Sequence, residues 1–206
     1  MAPSPCFSSG EMILASASPR RAEILTSLGI DFRVFPPDVD ESILPGELPR
    51  LHAERVARAK AEAVSRLYPL EWVLAGDTVV GLDDQILGKP QSPEDAVEIL
   101  LRLQGKVHQV VTALALVRPP RGAMVSPEFY IGFQATSVAF RPFDRSFAEG
   151  YVRTGEPMDK AGAYGIQGNG AVLVTGIVGD YSAVVGLSVP LLFRLLEESG
   201  APYQFG

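Results

Sequence analysis

Hydrophobic positions along the chain fall into short blocks, separated by Pro, Gly and Ser, that alternate between strand-like and helix-like spacing. The apolar run 12–15 predicts a strand, and Ser18 followed by Pro19 predicts a helix start in which the hydroxyl caps free N–H groups. That helix continues through Ile24, Leu25 and Leu28 to a stop at Gly29. Residues 30–35 predict a second strand, broken by Pro36-Pro37 and followed by an acidic loop, 38–41. Residues 49–67 have a helical pattern, with Leu51, Val56, Ala63, Val64 and Leu67 on the apolar side. A buried strand over 71–76 delivers Asp77-Thr78 at its end, and 79–82 and 86–87 flank a hairpin turn at Asp83-Asp84.

Ser92-Pro93-Glu94-Asp95 opens another helix, ending near Gly105. Strands are expected over 107–117 and 129–140, separated by a Pro-rich loop over 118–127, and a helix over 146–154. A Gly-rich stretch, 162–170, precedes a hairpin over 172–185, and 188–199 forms a closing helix. Helices and strands alternate early and antiparallel pairs follow, which predicts an α/β protein with a mixed β-sheet.

The chain has 206 residues, enough for one core or for two lobes sharing a sheet. Residues 12–206 are read as one such domain, and 1–11 as a disordered tail without the basic start and apolar middle of a signal peptide. Cys6 is the only cysteine, so an internal disulfide is excluded and a reducing cytoplasm fits best. No apolar run approaches the roughly 20 residues that span a bilayer. With 18 Lys and Arg against 24 Asp and Glu the net charge is −6, which argues against a nucleic-acid surface. A small anionic ligand remains compatible, since a few basic residues can make a local positive pocket. His52 and His108 are too few and too far apart to suggest a histidine metal site, and both read as partly exposed residues.

Four groups of residues could carry chemistry. Ser16-Ala17-Ser18-Pro19-Arg20-Arg21 joins a helix N-terminus, two hydroxyls and two guanidinium groups, a combination that suits a phosphate chain. Asp77 follows an apolar strand and Glu41 lies in a loop after another; such carboxylates suit a hard divalent cation, and one of them could take a proton from water. Asp38 and Asp40 read as solvated. Lys60, among alanines, and Lys89, in a Gly-Lys-Pro turn, could each reach phosphate oxygens. In the Gly-rich stretch the glycines permit close backbone approach, and Tyr164 and Gln167 could stack on and hydrogen-bond a base. Neither GxGxxG, GxxxxGK[ST] nor GxSxG occurs, which leaves redox-cofactor, standard ATPase and serine-hydrolase readings without support.

In order along the chain, SASPRR, Asp40-Glu41, the Lys60 helix, Ala75-Gly76-Asp77-Thr78, Leu87-Gly88-Lys89-Pro90, 108–113 and 159–168 resemble the motifs of the Maf family of nucleotide pyrophosphatases, over about residues 12–196. The resemblance implies a fold similar to inosine triphosphate pyrophosphatases, with an elongated mixed sheet and a cleft between two lobes. It implies Asp77 as the catalytic acid residue that activates water, Glu41 and Asp77 as ligands of Mg²⁺ or Mn²⁺, and Ser16, Ser18, Arg20, Arg21, Lys60 and Lys89 as triphosphate-binding residues. Arg20, Thr78 and Gln167 match the family's dTTP/UTP branch rather than its 7-methyl-GTP branch, with Gln167 facing the imide edge of the base and Thr78 leaving room for it. The implied reaction is water attack at the α-phosphorus, releasing pyrophosphate, by a cytoplasmic homodimer that binds neither nucleic acid nor membrane. Two other readings stay open: a house-cleaning pyrophosphatase for 7-methyl-GTP or modified nucleotides, and a nucleotide-binding regulator of cell division.

Overall fold

The computed structural model describes residues 12–120, 126–201 and 203. The tail 1–11 with Cys6, and the centre of the 118–127 loop, lie outside these residues. Seven strands form one mixed sheet. Strands β1 (Met12–Ala15), β2 (Phe32–Val34) and β3 (Trp72–Leu82) run parallel, with β1 in the middle. Strands β4 (Gln85–Leu87), β5 (Val107–Arg118), β6 (Glu128–Phe140) and β7 (Val174–Val178) add antiparallel pairings, giving the order β2-β1-β3-β5-β6-β7 with β4 beside β3. The β3–β4 hairpin turns on Asp83 and Asp84, both at positive φ (50° and 62°), the backbone a two-residue primed turn requires.

Strand β3 is longer than its pattern suggests, and Asp77 sits inside it rather than after it. One edge of β3 pairs with β5 from Val73 to Gly81. On the other edge, β1 covers Trp72 to Ala75 and β4 covers Val80 to Leu82. Between them, 76–79 has no strand neighbour on that edge among the described residues, and there the sheet forks. The fork separates two lobes. In one, helix α2 (Pro49–Leu67) packs on one face of the sheet and α1 (Pro19–Ser27) and α6 (Val189–Ser199) on the other. The other lobe surrounds Val80, Leu82 and Leu87 with α3 (Pro93–Leu103), α4 (Arg145–Val152) and the 3-10 turns of 156–173.

Helix α2 buries Ala53, Val56, Ala57, Ala61 and Val64, so its apolar stripe is rotated from the expected one: Leu51 and Leu67 are 54 % and 62 % exposed. The buried alanines let the helix lie close on Val73, Ala75 and Val79 of β3. A second correction concerns 172–185, expected as a hairpin. Only Val174–Val178 is a strand, paired to β6, and the chain then turns into a short helix α5 (Tyr181–Val185), whose Asp180 accepts from the Ser182 N–H. The histidines are also corrected, since His52 and His108 are both buried.

Candidate active site

The period of two along β3 sends Asp77 and Thr78 to opposite faces of the sheet. Asp77 points to the α2 face, where Lys60, two turns beyond His52, meets it: Lys60 Nζ donates to Asp77 Oδ1 at 2.9 Å. The same ammonium pairs with Glu41 Oε1 at 2.8 Å, so one lysine draws together carboxylates from a strand and from a loop. Asp77 is only 7 % exposed, while Glu41 is exposed at the cleft edge. Burial, the largest single influence on Glu41, pushes its pKa up. The hydrogen bond to Lys60 and the charges of Lys60, Lys89 and Arg21 outweigh it and hold the carboxyl below its ordinary value.

Thr78 points to the α1 face, where it meets Arg21. The Arg21 guanidinium is buried and donates to three neutral oxygens: Nε to Gly186 O at 2.8 Å, Nη1 to Ser16 Oγ at 2.8 Å and Nη2 to Thr78 Oγ1 at 3.0 Å. Burial pulls its pKa down from the usual arginine value, against the raising effects of Asp77 and Glu41. Gly76 makes room for this side chain, since a Cβ there would lie 3.1 Å from Arg21 Nε and 3.0 Å from Leu114 Cδ2. Ser16 Oγ also accepts the Ser18 N–H at 3.2 Å, so both its lone pairs are engaged and its proton is left to donate. Ser18 occupies the N-cap position of α1, but it makes no side-chain cap bond, contrary to expectation. Its hydroxyl and the first-turn N–H groups therefore suit an anion.

These residues line one cleft of about 920 Å³ at the fork of the sheet. All ten expected site residues are there: Ser16, Ser18, Arg20, Arg21, Glu41, Lys60, Asp77, Thr78, Lys89 and Gln167. Arg20 pairs across the cleft with Asp159 (3.3 Å), which also holds Lys160 (2.6 Å). Lys89 and Gln167 are exposed on the opposite lobe. One reading of the Gly-rich stretch does not hold. Tyr164 is buried with its hydroxyl 2.8 Å from His108 Nε2, so it is unavailable for stacking on a base, and burial holds His108 neutral with a pKa near 4. The glycines do allow close approach, inside the protein at Gly162 and Gly170, while Gly165 and Gly168 line the cleft. A Cβ on Gly162 would lie 2.7 Å from Val80 Cγ2, and one on Gly170 would lie 2.2 Å from Gly165 O.

The structure adds residues that sequence reasoning missed. Glu47 accepts from Arg55 Nε at 2.6 Å, from the Leu44 N–H at 3.1 Å and from His52 Nδ1 at 2.8 Å, and Arg55 Nη2 donates to Ser42 O at 2.8 Å. This cluster clips the loop bearing Glu41 to α2. The hydrogen bond from Arg55 is the main cause that draws Glu47 down to about 2. The ionised carboxylate can only accept, so His52 carries its proton on Nδ1. The spacing His52, Val56, Lys60 on one helical face was the available signal for His52.

A cation-rich helix start on one side of the fork faces two lysine-bridged carboxylates on the other, an arrangement suited to holding a polyphosphate beside a proton acceptor. The family model described as Maf-like protein matches residues 11–199. The dTTP/UTP pyrophosphatase of Symbiobacterium thermophilum is 46% identical over 192 residues, covering 93% of this chain and 95% of that one. The dTTP/UTP pyrophosphatase of Desulfotalea psychrophila is 47% identical over 186 residues, 90% of this chain and 93% of its own. Among solved structures, the Ham1 protein of Staphylococcus aureus is similar at a TM-score of 0.46 and 18% identity, over 63% of this chain and 71% of that one. The chain belongs to the Maf family.

Proposed function

We propose that this protein is a nucleoside triphosphate pyrophosphatase that hydrolyses dTTP and UTP to the monophosphate and pyrophosphate. The observation that carries the reading is the Glu41–Lys60–Asp77 cluster opposite Arg21 in one cleft, and the activity for which the relatives are named supports the choice of nucleotide. Arg20, Arg21, Lys60, Lys89, Ser16 and Ser18 hold the triphosphate. Asp77 takes the proton as a water oxygen bonds to the α-phosphorus, the bond to the α–β bridging oxygen breaks, and pyrophosphate leaves with that electron pair. Lys60 holds the Asp77 carboxylate by a hydrogen bond, and the guanidinium of Arg21 faces the charge that builds on the phosphoryl oxygens.

The donor set suits Mg²⁺ or Mn²⁺. Glu41 and Asp77 offer hard carboxylate oxygens within reach of one ammonium, so they can converge on one cation. Among the described residues no cluster of three His, Cys, Asp or Glu side chains forms a complete protein cage. Two carboxylates completed by water and substrate oxygens match the way Mg²⁺ is held in phosphoryl-transfer sites. Such an ion, held by Glu41 and Asp77, supplies charge neutralisation and lowers the pKa of bound water. The same reading makes the protein a cytoplasmic homodimer. Sedimentation velocity tests the dimer: a single species at twice the mass of one chain supports it, and a monomer overturns it.

The test of function is pyrophosphate release from canonical and methylated nucleoside triphosphates with Mg²⁺ or Mn²⁺, before and after chelation. The expected result is preferred turnover of dTTP and UTP, lost with the chelator. Preferred turnover of 7-methyl-GTP would keep the chemistry and overturn the roles given to Thr78 and Gln167. Binding without pyrophosphate release from any nucleotide would favour a regulatory protein.

A further inference from the structure

Thr112 lies directly opposite Thr78 in the β3–β5 pairing and is completely buried. Its hydroxyl donates to Ala183 O at 2.7 Å, and because a carbonyl can only accept, its one proton is committed there. The 2.8 Å contact between Thr112 Oγ1 and Thr78 Oγ1 must then use the Thr78 proton. Thr78 is thereby left with lone pairs toward α1, and one of them accepts from Arg21 Nη2 at 3.0 Å. The proton order runs one way: Arg21 to Thr78, Thr78 to Thr112, Thr112 to the Ala183 carbonyl. That carbonyl belongs to the last turn of α5, where helix carbonyls lack helical partners, and Gly186 O just beyond takes Arg21 Nε.

From this geometry we infer that Thr112 is a positioning residue for polyphosphate binding: it fixes the Thr78 hydroxyl as an acceptor and so aims the Arg21 guanidinium into the cleft. The inference rests on the cleft being a triphosphate site. Without Thr112 the Thr78 hydroxyl is free to turn its proton toward the guanidinium. Arg21 then loses one of three fixed acceptors, while its other contacts, to Ser16 and Gly186, stay in place. Thr112 does not touch the ligand. It acts through two intermediates and from the interior of the sheet.

The probe is inorganic tripolyphosphate, with affinity measured by calorimetry alongside turnover of dTTP. Thr112→Val should weaken binding about tenfold, the scale of one hydrogen bond to a charged group. Thr112→Ser restores the hydroxyl and should stay within about twofold of the native protein. In an Arg21→Met background, Thr112→Val should change affinity by less than about twofold, because the residue it acts through is gone. Equal weakening in both backgrounds would overturn the inference, since Thr112 would then act on the fold at large. A Thr112→Ser protein as weak as Thr112→Val, or a native protein that does not bind tripolyphosphate, would overturn it as well. Tripolyphosphate binding with the expected pattern but no dTTP turnover would sink the pyrophosphatase reading and leave the positioning role standing.

Discussion

Among the described residues Arg21 meets no carboxylate at hydrogen-bond distance; its guanidinium is held by a serine, a threonine and a backbone carbonyl. A buried cation fixed by neutral oxygens keeps its full charge available to an anion, which a salt bridge would cancel. Arg20 beside it makes the opposite choice, pairing with Asp159 at the cleft edge. Thr78, expected from its small size to leave room for the base, uses its hydroxyl inside the protein, accepting from Arg21 and donating to Thr112. Glu47 is a carboxylate whose environment gives a clear pH signature. Its folded value is about 2 against an ordinary 4.5, so its stabilisation is fully present above pH 4.5 and is lost as pH falls toward 2. Glu47→Gln should lower the melting temperature at neutral pH and narrow the gap to the native protein as pH drops through that window. Calorimetric melting curves from pH 7 to 2.5 check this, and a gap that stays constant with pH would refute it.

At the scale of elements, the features that came through in the sequence are those set by local backbone chemistry. Ser92 and Pro93 start α3, with the hydroxyl accepting the Asp95 N–H, as the motif predicts. The segment 172–185 failed because a run of β-branched residues such as Val184 and Val185 has strand propensity, while Asp180 caps a helix whose burial against β5 and β6 decides the outcome. The face of α2 was misread because its packing stripe is built from alanines, which carry little hydrophobic signal, while Leu51 and Leu67 carry much and lie outside. Gly162 makes the dependence of elements on one another measurable. Its φ of +69° disfavours any side chain, and a Cβ would press on Val80 at 2.7 Å. Gly162→Ala should cost about 2–5 kcal/mol, read as a lower denaturation midpoint with an unchanged slope. Native stability in that variant would show that the turn can relax.

Across the whole molecule, a chain with net charge −6 collects Arg20, Arg21, Lys60, Lys89 and Lys160 around one cleft, which is why overall acidity did not exclude an anionic ligand. The ten residues expected at the site all line this cleft, and most were legible from short motifs beside strand ends, while Lys60 was marked by its place among the alanines of α2. Thr112, His52 and the Glu47 clip were not, since their roles depend on pairings between distant segments that no local pattern records. The fork of the sheet explains why the site lies where it does: β1 stops at Ala15, β4 begins to pair at Val80, and Asp77 stands in the interval. The proposed reaction turns on Asp77, held by Lys60, as the acceptor of the water proton. The direct measurement compares Asp77→Asn with the native protein for dTTP turnover and for affinity toward the non-hydrolysable α,β-imido analogue. Turnover should fall about 10²–10⁴-fold while affinity stays within about threefold. An Asp77→Asn protein that hydrolyses dTTP at the native rate would contradict the account.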